Sequence, residues 1–336
     1  MKIAINGFGR IGRLFFRQAW GNPDLDIVAI NDLGNVDDLA YLLRRDTVYR
    51  TWDIDVKSDV TKGVLIVGGK EIKFLQQKDA TQLPWGQLGV DVVVESTGIF
   101  ESYEKSKVHL DAGAKRVVIT APAKDADGDL GQTVLVGVNE DKISISKISS
   151  NGSCTTNSAS PVISVLSENP GIEKAVLNTV HSYTATQSIV DGPVKGDDFR
   201  RGRAAAQNIV PSTTGAAIAV TRAIKELEGN FDGIAIRVPS ITGSVSDITF
   251  ISKRPTTAEE INSILRQAAS LPKWQGILAV SEEPLVSSDI IGVPYGATVD
   301  LKFTKVIGGN LVKILSWYDN EWGYVSTLIK HILKLK

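Results

Sequence analysis

The feature that most restricts this chain is Gly7-Phe8-Gly9-Arg10-Ile11-Gly12, a G-x-G-x-x-G run between two periodic segments. Lys2–Asn6 before it reads as a short apolar strand. Arg10–Trp20 after it places Ile11, Leu14, Phe15 and Ala19 at helical spacing. Three glycines alone mark any tight turn. Here a second β-branched run, Asp26–Asn31, follows, and Asp32 stands twenty residues beyond Gly12. That separation suits an acid reaching the ribose hydroxyls of a dinucleotide whose pyrophosphate rests on the helix N-terminus. A carboxylate there repels a 2′-phosphate, so the pattern predicts NAD in preference to NADP.

The same alternation continues. Val36–Arg45 and Ser102–Ala112 have helical periodicity, while Asp91–Glu95 and Arg116–Thr120 are continuous apolar runs of the kind buried on both faces of a sheet. Residues 1–150 are therefore expected to form a doubly wound parallel sheet. Near Ser149 the pattern changes to longer, alternating strands: Ala175–Tyr183, Ile234–Val238, Ser246–Ser252, Thr298–Val306 and Leu311–Tyr318, with Gly308-Gly309-Asn310 as a hairpin turn. Residues 151–320 read as an α+β domain with a mostly antiparallel sheet, including a helix at Thr257–Ala269. A last amphipathic helix, 321–336, ends the chain. The expected class is α/β, with a dinucleotide-binding domain followed by a catalytic domain.

With 37 basic and 38 acidic residues the net charge is −1, so bulk electrostatics favour neither a nucleic-acid nor a membrane partner. No apolar run is long enough to span a bilayer, and a glycine motif starting at Gly7 argues against a signal peptide. The lone cysteine excludes an intramolecular disulfide and a multi-cysteine metal site; no metal is expected, and a cytoplasmic location fits.

That cysteine, Cys154, lies in Asn151-Gly152-Ser153-Cys154-Thr155-Thr156-Asn157, just ahead of a helical pattern. Ser153 is the expected N-cap. A thiol in the first helical turn gains thiolate character from the helix N-terminus. Its small polar neighbours argue against the ordinary role of a free cysteine as a buried hydrophobe. Among three histidines, His109 in a charged helix and His331 in the terminal helix read as surface residues. His181, ending an apolar strand, is the best base for Cys154. A thiolate adds to an aldehyde to give a hemithioacetal, which loses hydride to a nicotinamide and becomes a thioester. Nucleophile, base and cofactor site together point to aldehyde oxidation.

Over nearly its whole length the chain resembles the phosphorylating glyceraldehyde-3-phosphate dehydrogenases. The resemblance rests on NGFGRIGR (6–13), LPWGQLGVDVVVESTG (83–98), SNGSCTTN (150–157), HSYTATQ (181–187), RRGRAAAQNIVPSTTGAA (200–217), RVP (237–239), PLVSSD (284–289) and WYDNEWGY (317–324). It implies NAD-dependent oxidation of glyceraldehyde 3-phosphate to 1,3-bisphosphoglycerate in glycolysis and gluconeogenesis, with Cys154 as nucleophile and His181 as base. It assigns Ser153, Thr155, Thr214 and Gly215 to inorganic phosphate. Thr184 and Arg237, with Arg201 shared or nearby, fall to the substrate phosphate. Arg10, Ile11, Asp32, Lys78, Thr120 and Asn320 are implied cofactor contacts. The final helix is expected to return to the first domain. A loop from Ser182 to about Ala206 is expected to approach a neighbouring subunit of a homotetramer.

The sequence departs from the family pattern at Ser158, where a second cysteine is common, and at Gly152, where alanine is commoner and glycine would loosen the turn. It also departs at Asp125–Gln132 and Ile241–Ser244. Erythrose-4-phosphate dehydrogenase is the nearest alternative, though HSYTATQ and Gly192-Pro193 look more like the glycolytic enzyme. A cysteine hydrolase would leave the glycine motif and Asp32 without a role. A catalytically idle NAD-binding protein would not need Cys154, His181 and Arg237 together.

Overall fold

The computed structural model describes residues 1–194 and 196–336. The chain divides into two compact units. Unit 1 comprises Met1–Val134, Glu140–Gly152 and Leu328–Lys336; unit 2 comprises Leu135–Asn139 and Ser153–Thr327.

The strands of unit 1 are β1 (Lys2–Asn6), β2 (Asp26–Asn31), the short pair β3 (Arg45–Asp46) and β4 (Arg50–Thr51), β5 (Val56–Asp59), β6 (Val64–Val67), β7 (Lys70–Leu75), β8 (Val92–Glu95), β9 (Arg116–Ile119), β10 (Gly131–Thr133) and β11 (Ile148–Ser150). Its helices are α1 (Arg10–Ala19), α2 (Val36–Arg44), the one-turn α3 (Trp85–Leu88) and α4 (Tyr103–Asp111). Nine strands form one sheet in the order β10-β11-β9-β8-β1-β2-β7-β6-β5. It is parallel from β10 to β7, but β5, β6 and β7 pair antiparallel, so the doubly wound sheet carries an antiparallel edge. The centres of the apolar runs predicted to be buried on both faces are so: Val92–Glu95 of β8 and Val117, Val118 and Ile119 of β9 are buried, while Asp91, Arg116 and Thr120 at their ends are half-buried. Asn35 caps α2 and Ser102 caps α4, which places both helix starts where the sequence suggests.

Unit 2 holds α5 (Cys154–Glu168), β12 (Ile172–Ser182), β13 (Val210–Thr213), α6 (Ala216–Ala223), β14 (Phe231–Val238), β15 (Ser244–Ser252), α7 (Ala258–Ser270), β16 (Leu278–Ser281), β17 (Ala297–Ile307) and β18 (Leu311–Tyr318). The last helix, α8 (Trp322–Leu333), begins in unit 2 and ends among the Leu328–Lys336 residues of unit 1. The seven-stranded sheet runs β13-β14-β12-β15-β18-β17-β16, mostly antiparallel, with β12–β14 and β16–β17 parallel. β15 alternates perfectly between buried and half-buried residues, the mark of a sheet with one face on a core. Helix α5 supplies Ala159, Val162, Ile163 and Leu166 to that core, against Leu177, Ile248 and Ile314 of the sheet.

Three expectations change. His109 and His331, read as surface residues, are both fully buried. Charged residues beside them in sequence point elsewhere on the helix, so local composition misleads about one face. His331 Nδ1 lies 3.1 Å from Asn151 Oδ1 and its Nε2 2.7 Å from Ser149 Oγ, tying the chain end to β11 within unit 1. Gly152 does not loosen its turn: its φ of 64° is left-handed backbone that favours glycine. The unusual loop 125–132 is anchored by Asp127, which accepts from Tyr103 Oη and from Thr133 Oγ1, each at 2.8 Å.

Burial lowers the His331 pKa from 6.5 to about 4, with a backbone hydrogen bond at Val134 opposing. The unfolded chain therefore binds a proton that the native state refuses between those values, and His331 makes stability fall as pH drops from about 6.5 to about 4. Replacing it with Gln should flatten that part of the urea-midpoint profile. A profile as steep as the native one would show that His331 does not titrate in this way.

Candidate functional site

The glycine motif forms a turn whose three glycines have different reasons to lack a side chain. Gly7 has φ 95°, and a Cβ there would lie 2.6 Å from the Ser96 carbonyl carbon. A Cβ on Gly12 would lie 2.1 Å from the Gly7 carbonyl oxygen, so this glycine lets α1 pack on the turn. Gly9 has nothing within 4 Å of a built Cβ. It is the N-cap of α1 and offers no side-chain acceptor, leaving the first-turn N–H groups open to an anion. Arg10 and Ile11 supply that first turn, and the Arg10 guanidinium is held by Asp46.

Beside this turn is a cavity of about 280 Å³ lined by Asn6, Gly7, Gly9, Asp32, Lys78 and Thr97, among others. It opens at the C-terminal ends of β1, β2 and β8, where the strand order reverses direction, the usual ligand position in such sheets. Asp32 Oδ2 accepts from Phe8 N (2.6 Å) and Oδ1 from Gly34 N (2.8 Å), so the carboxylate is fixed at the rim with lone pairs to spare. These features fit a dinucleotide. Thr120 lies just past the end of β9, where its Oγ1 donates to the Glu95 carbonyl; it is not among the cavity's lining residues. Asn320 belongs to unit 2. Its Oδ1 accepts from Ser182 Oγ, Thr242 Oγ1, Gly243 N and Ser244 Oγ. The atypical Ile241–Ser244 stretch thus has a definite task.

In unit 2, Ser153 caps α5 through a capping box: its Oγ accepts from Thr156 N at 3.0 Å, and Thr156 Oγ1 accepts from Ser153 N at 3.2 Å. This holds Cys154 in the first turn. Its Sγ lies 3.3 Å from His181 Nε2. The other ring nitrogen, Nδ1, is 2.6 Å from the Ser182 carbonyl oxygen, an acceptor only. Nδ1 therefore carries the proton and Nε2 presents a lone pair to the sulfur. Helix α5 brings the thiol and β12 the imidazole, 27 residues apart in sequence.

The sequence suggested a thiol pKa lowered by the helix. Burial outweighs that: it pushes the Cys154 thiol up to about 11, while the Arg237 charge opposes it. Burial, with Arg237 in the same direction, holds His181 down to about 4. Burial thus disfavours the charged form of each group taken alone. Moving a proton across 3.3 Å creates two opposite charges together, each relieving the penalty the other would meet alone.

Arg237 is the register partner of His181 on the neighbouring parallel strand β14. Its Nη1 donates to Thr184 Oγ1 at 3.3 Å, and its buried Nε has no hydrogen-bond partner among the described residues. Thr184 Oγ1 lies 3.0 Å from Thr186 Oγ1, which in turn accepts from Arg201 Nη1 at 3.1 Å. Two guanidinium groups thus flank a pair of threonine hydroxyls, and Arg237 has no carboxylate in a salt bridge among the described residues. A half-buried cation in that position suits an anionic ligand. The remaining predicted anion contacts are more dispersed. Thr214 Oγ1 accepts from Ala216 N at 3.2 Å, and Gly215 is the N-cap of α6 without a side-chain acceptor. Thr155 is buried with its hydroxyl 2.8 Å from Tyr318 Oη.

Tyr318 was missed by sequence reasoning. Its ring meets that of His181 in a T-shaped arrangement with centroids 6.0 Å apart, and its Oη lies 2.7 Å from Thr179 Oγ1. Only the alternation of β18, which turns Tyr318 inward, hinted at it.

Residues 1–103 match the family model for the glyceraldehyde 3-phosphate dehydrogenase NAD-binding domain, and residues 153–320 match that for the C-terminal domain of the same family. The chain belongs to the glyceraldehyde-3-phosphate dehydrogenase family. It is 49% identical to the glyceraldehyde-3-phosphate dehydrogenase of Thermotoga maritima over 98% of this chain and 97% of that one. Against the Geobacillus stearothermophilus enzyme of the same name it is 48% identical, covering 96% and 95%. Against that of Streptomyces coelicolor it is 46% identical, covering 98% and 96%. The dinucleotide of this family's first domain is NAD.

The two outer glycines and the middle one make distinct predictions. Gly12→Ala should lower the melting temperature and NAD affinity together, because its Cβ meets backbone. Gly9→Ala should leave the melting temperature nearly unchanged and weaken NAD alone. Thermal unfolding and calorimetric titration separate the two, and a Gly9→Ala protein with native affinity would remove the turn from the cofactor site.

Proposed function

We propose that this chain oxidises glyceraldehyde 3-phosphate with NAD and inorganic phosphate, forming 1,3-bisphosphoglycerate and NADH. The reading is carried by the Cys154–His181 pair set beside the half-buried Arg237, whose buried Nε has no hydrogen-bond partner among the described residues, in a chain of this family. In this scheme residues 1–150 with the helix 321–336 hold the dinucleotide, and residues 151–320 carry the chemistry.

His181 Nε2 takes the thiol proton as Sγ attacks the aldehyde carbon, and returns it to the developing oxyanion, giving a hemithioacetal. His181 then takes the hydroxyl proton as the thioester forms on Cys154. When bound, NAD supplies the hydride acceptor. Arg237, with Thr184 and Arg201, holds the substrate phosphate. Ser153, Thr155, Thr214 and Gly215 are the candidates for the attacking phosphate. Its attack on the thioester carbon releases the thiolate, which recovers its proton from the imidazolium. Gly7, Gly9, Arg10, Ile11, Gly12, Asp32, Lys78, Thr120 and Asn320 are assigned to the cofactor.

A homotetramer in the cytoplasm is part of the same proposal. Ile189, Val190 and Phe199 are large apolar residues more than 70% exposed in the loop after β12, an expected interface. No helix among the described residues is long and apolar enough to cross a membrane.

NADH absorbance should rise continuously on mixing protein, NAD, glyceraldehyde 3-phosphate and phosphate, and should stop after one turnover when phosphate is omitted. Cys154→Ser should abolish both. His181→Asn should lower kcat by about 10²–10⁴-fold. Arg237→Ala should raise KM for the phosphorylated aldehyde by the equivalent of roughly 1.5–3 kcal/mol. Phosphate-independent turnover, or an unchanged KM in Arg237→Ala, would overturn the scheme.

A further inference from the structure

Behind the dinucleotide cavity lies a buried polar network that the chemistry above does not use. His109, on α4, is fully buried, and Glu95, the last residue of β8, is 2% exposed. Trp85 Nε1 donates to His109 Nδ1 at 3.1 Å, so Nδ1 is the bare nitrogen. His109 Nε2 then carries the proton and donates to Glu95 Oε2 at 2.9 Å. The same oxygen accepts from Asn6 Nδ2 at 2.6 Å, while Oε1 accepts from Thr97 N at 2.9 Å and Thr97 Oγ1 at 2.5 Å. Asn6 Oδ1 accepts from Asn31 Nδ2 at 2.8 Å, and Asn31 Oδ1 accepts from Gln77 N at 2.9 Å.

Asn6, Asn31, Gln77 and Thr97 all line the cavity, whereas His109, Glu95 and Trp85 do not. His109, Asn6 and Thr97 all direct donors at the one Glu95 carboxylate, and Trp85 fixes the His109 ring from behind. Because a carboxylate only accepts, Asn6 must turn its NH2 inward and its carbonyl oxygen toward Asn31, and Asn31 must in turn present its oxygen to Gln77. One buried group thereby sets the orientation of two amides and a hydroxyl on the cavity wall.

We propose that His109 is a positioning residue for the dinucleotide, locking Glu95 and through it the Asn6, Thr97 and Asn31 side chains of the cavity wall. This rests on the reading of that cavity as the NAD site. His109 acts only through its neighbours, and its loss frees Glu95 to turn and the amides to flip.

The test compares His109→Leu with His109→Gln, whose amide can still donate to Glu95 and accept from Trp85. His109→Leu should raise KM and Kd for NAD roughly tenfold, the scale of one lost charge-assisted hydrogen bond. His109→Gln should restore most of that. In both, KM for the aldehyde and the rate of Cys154 alkylation should match the native protein. If His109→Leu lowers only the melting temperature and leaves KM for NAD unchanged, or if Gln fails to rescue, the role is structural and the proposal falls. Should the Leu variant not fold, Glu95→Gln takes its place: its NH2 would oppose one of the donors, so KM for NAD should rise, and an unchanged value overturns the proposal. Native protein that fails to bind NAD at all would instead sink the reading of the cavity.

Discussion

The contact between Cys154 Sγ and His181 Nε2 depends on nearly every other feature of unit 2. It requires α5 to begin where it does, which the Ser153–Thr156 capping box enforces. It requires α5 to lie against the sheet, which Ala159, Val162, Ile163 and Leu166 achieve by burial. It requires a defined imidazole tautomer, which the Ser182 carbonyl imposes. The Tyr318 ring then limits where the imidazole can move.

Burial and the Arg237 charge act differently on the two members of this pair. Burial disfavours thiolate and imidazolium separately. Arg237 favours the thiolate and opposes the imidazolium. It forms no salt bridge among the described residues; the nearby Arg201 disfavours its charge, with Asp198 opposing more weakly.

Unit 1 uses polar burial differently. The carboxylate of Glu95 is satisfied entirely by neutral donors, and none of its partners is a Lys or Arg. Such a network is worth its desolvation only when complete, and complete it gives the strand ends a single arrangement. The glycine turn and the Asp32 carboxylate, which binds two backbone N–H groups, complete a rim that has little freedom to adapt.

The order of domains, the dinucleotide turn with Asp32, the start of α5 at Cys154 and the alternating strands of unit 2 follow from the sequence itself. Each depends on residues close together in the chain: glycine torsions, a cap three residues wide, or a period of 2 or 3.6. The tertiary structure alone decided that His109 and His331 are buried, because a helix face is chosen by what packs on it and not by the charges beside it. It alone decided that Tyr318 abuts His181, since 137 residues separate them and strand register brings them together. It also reversed the expected direction of the thiol pKa: a helix N-terminus is local and visible in sequence, whereas desolvation is summed over every group that folding brings near.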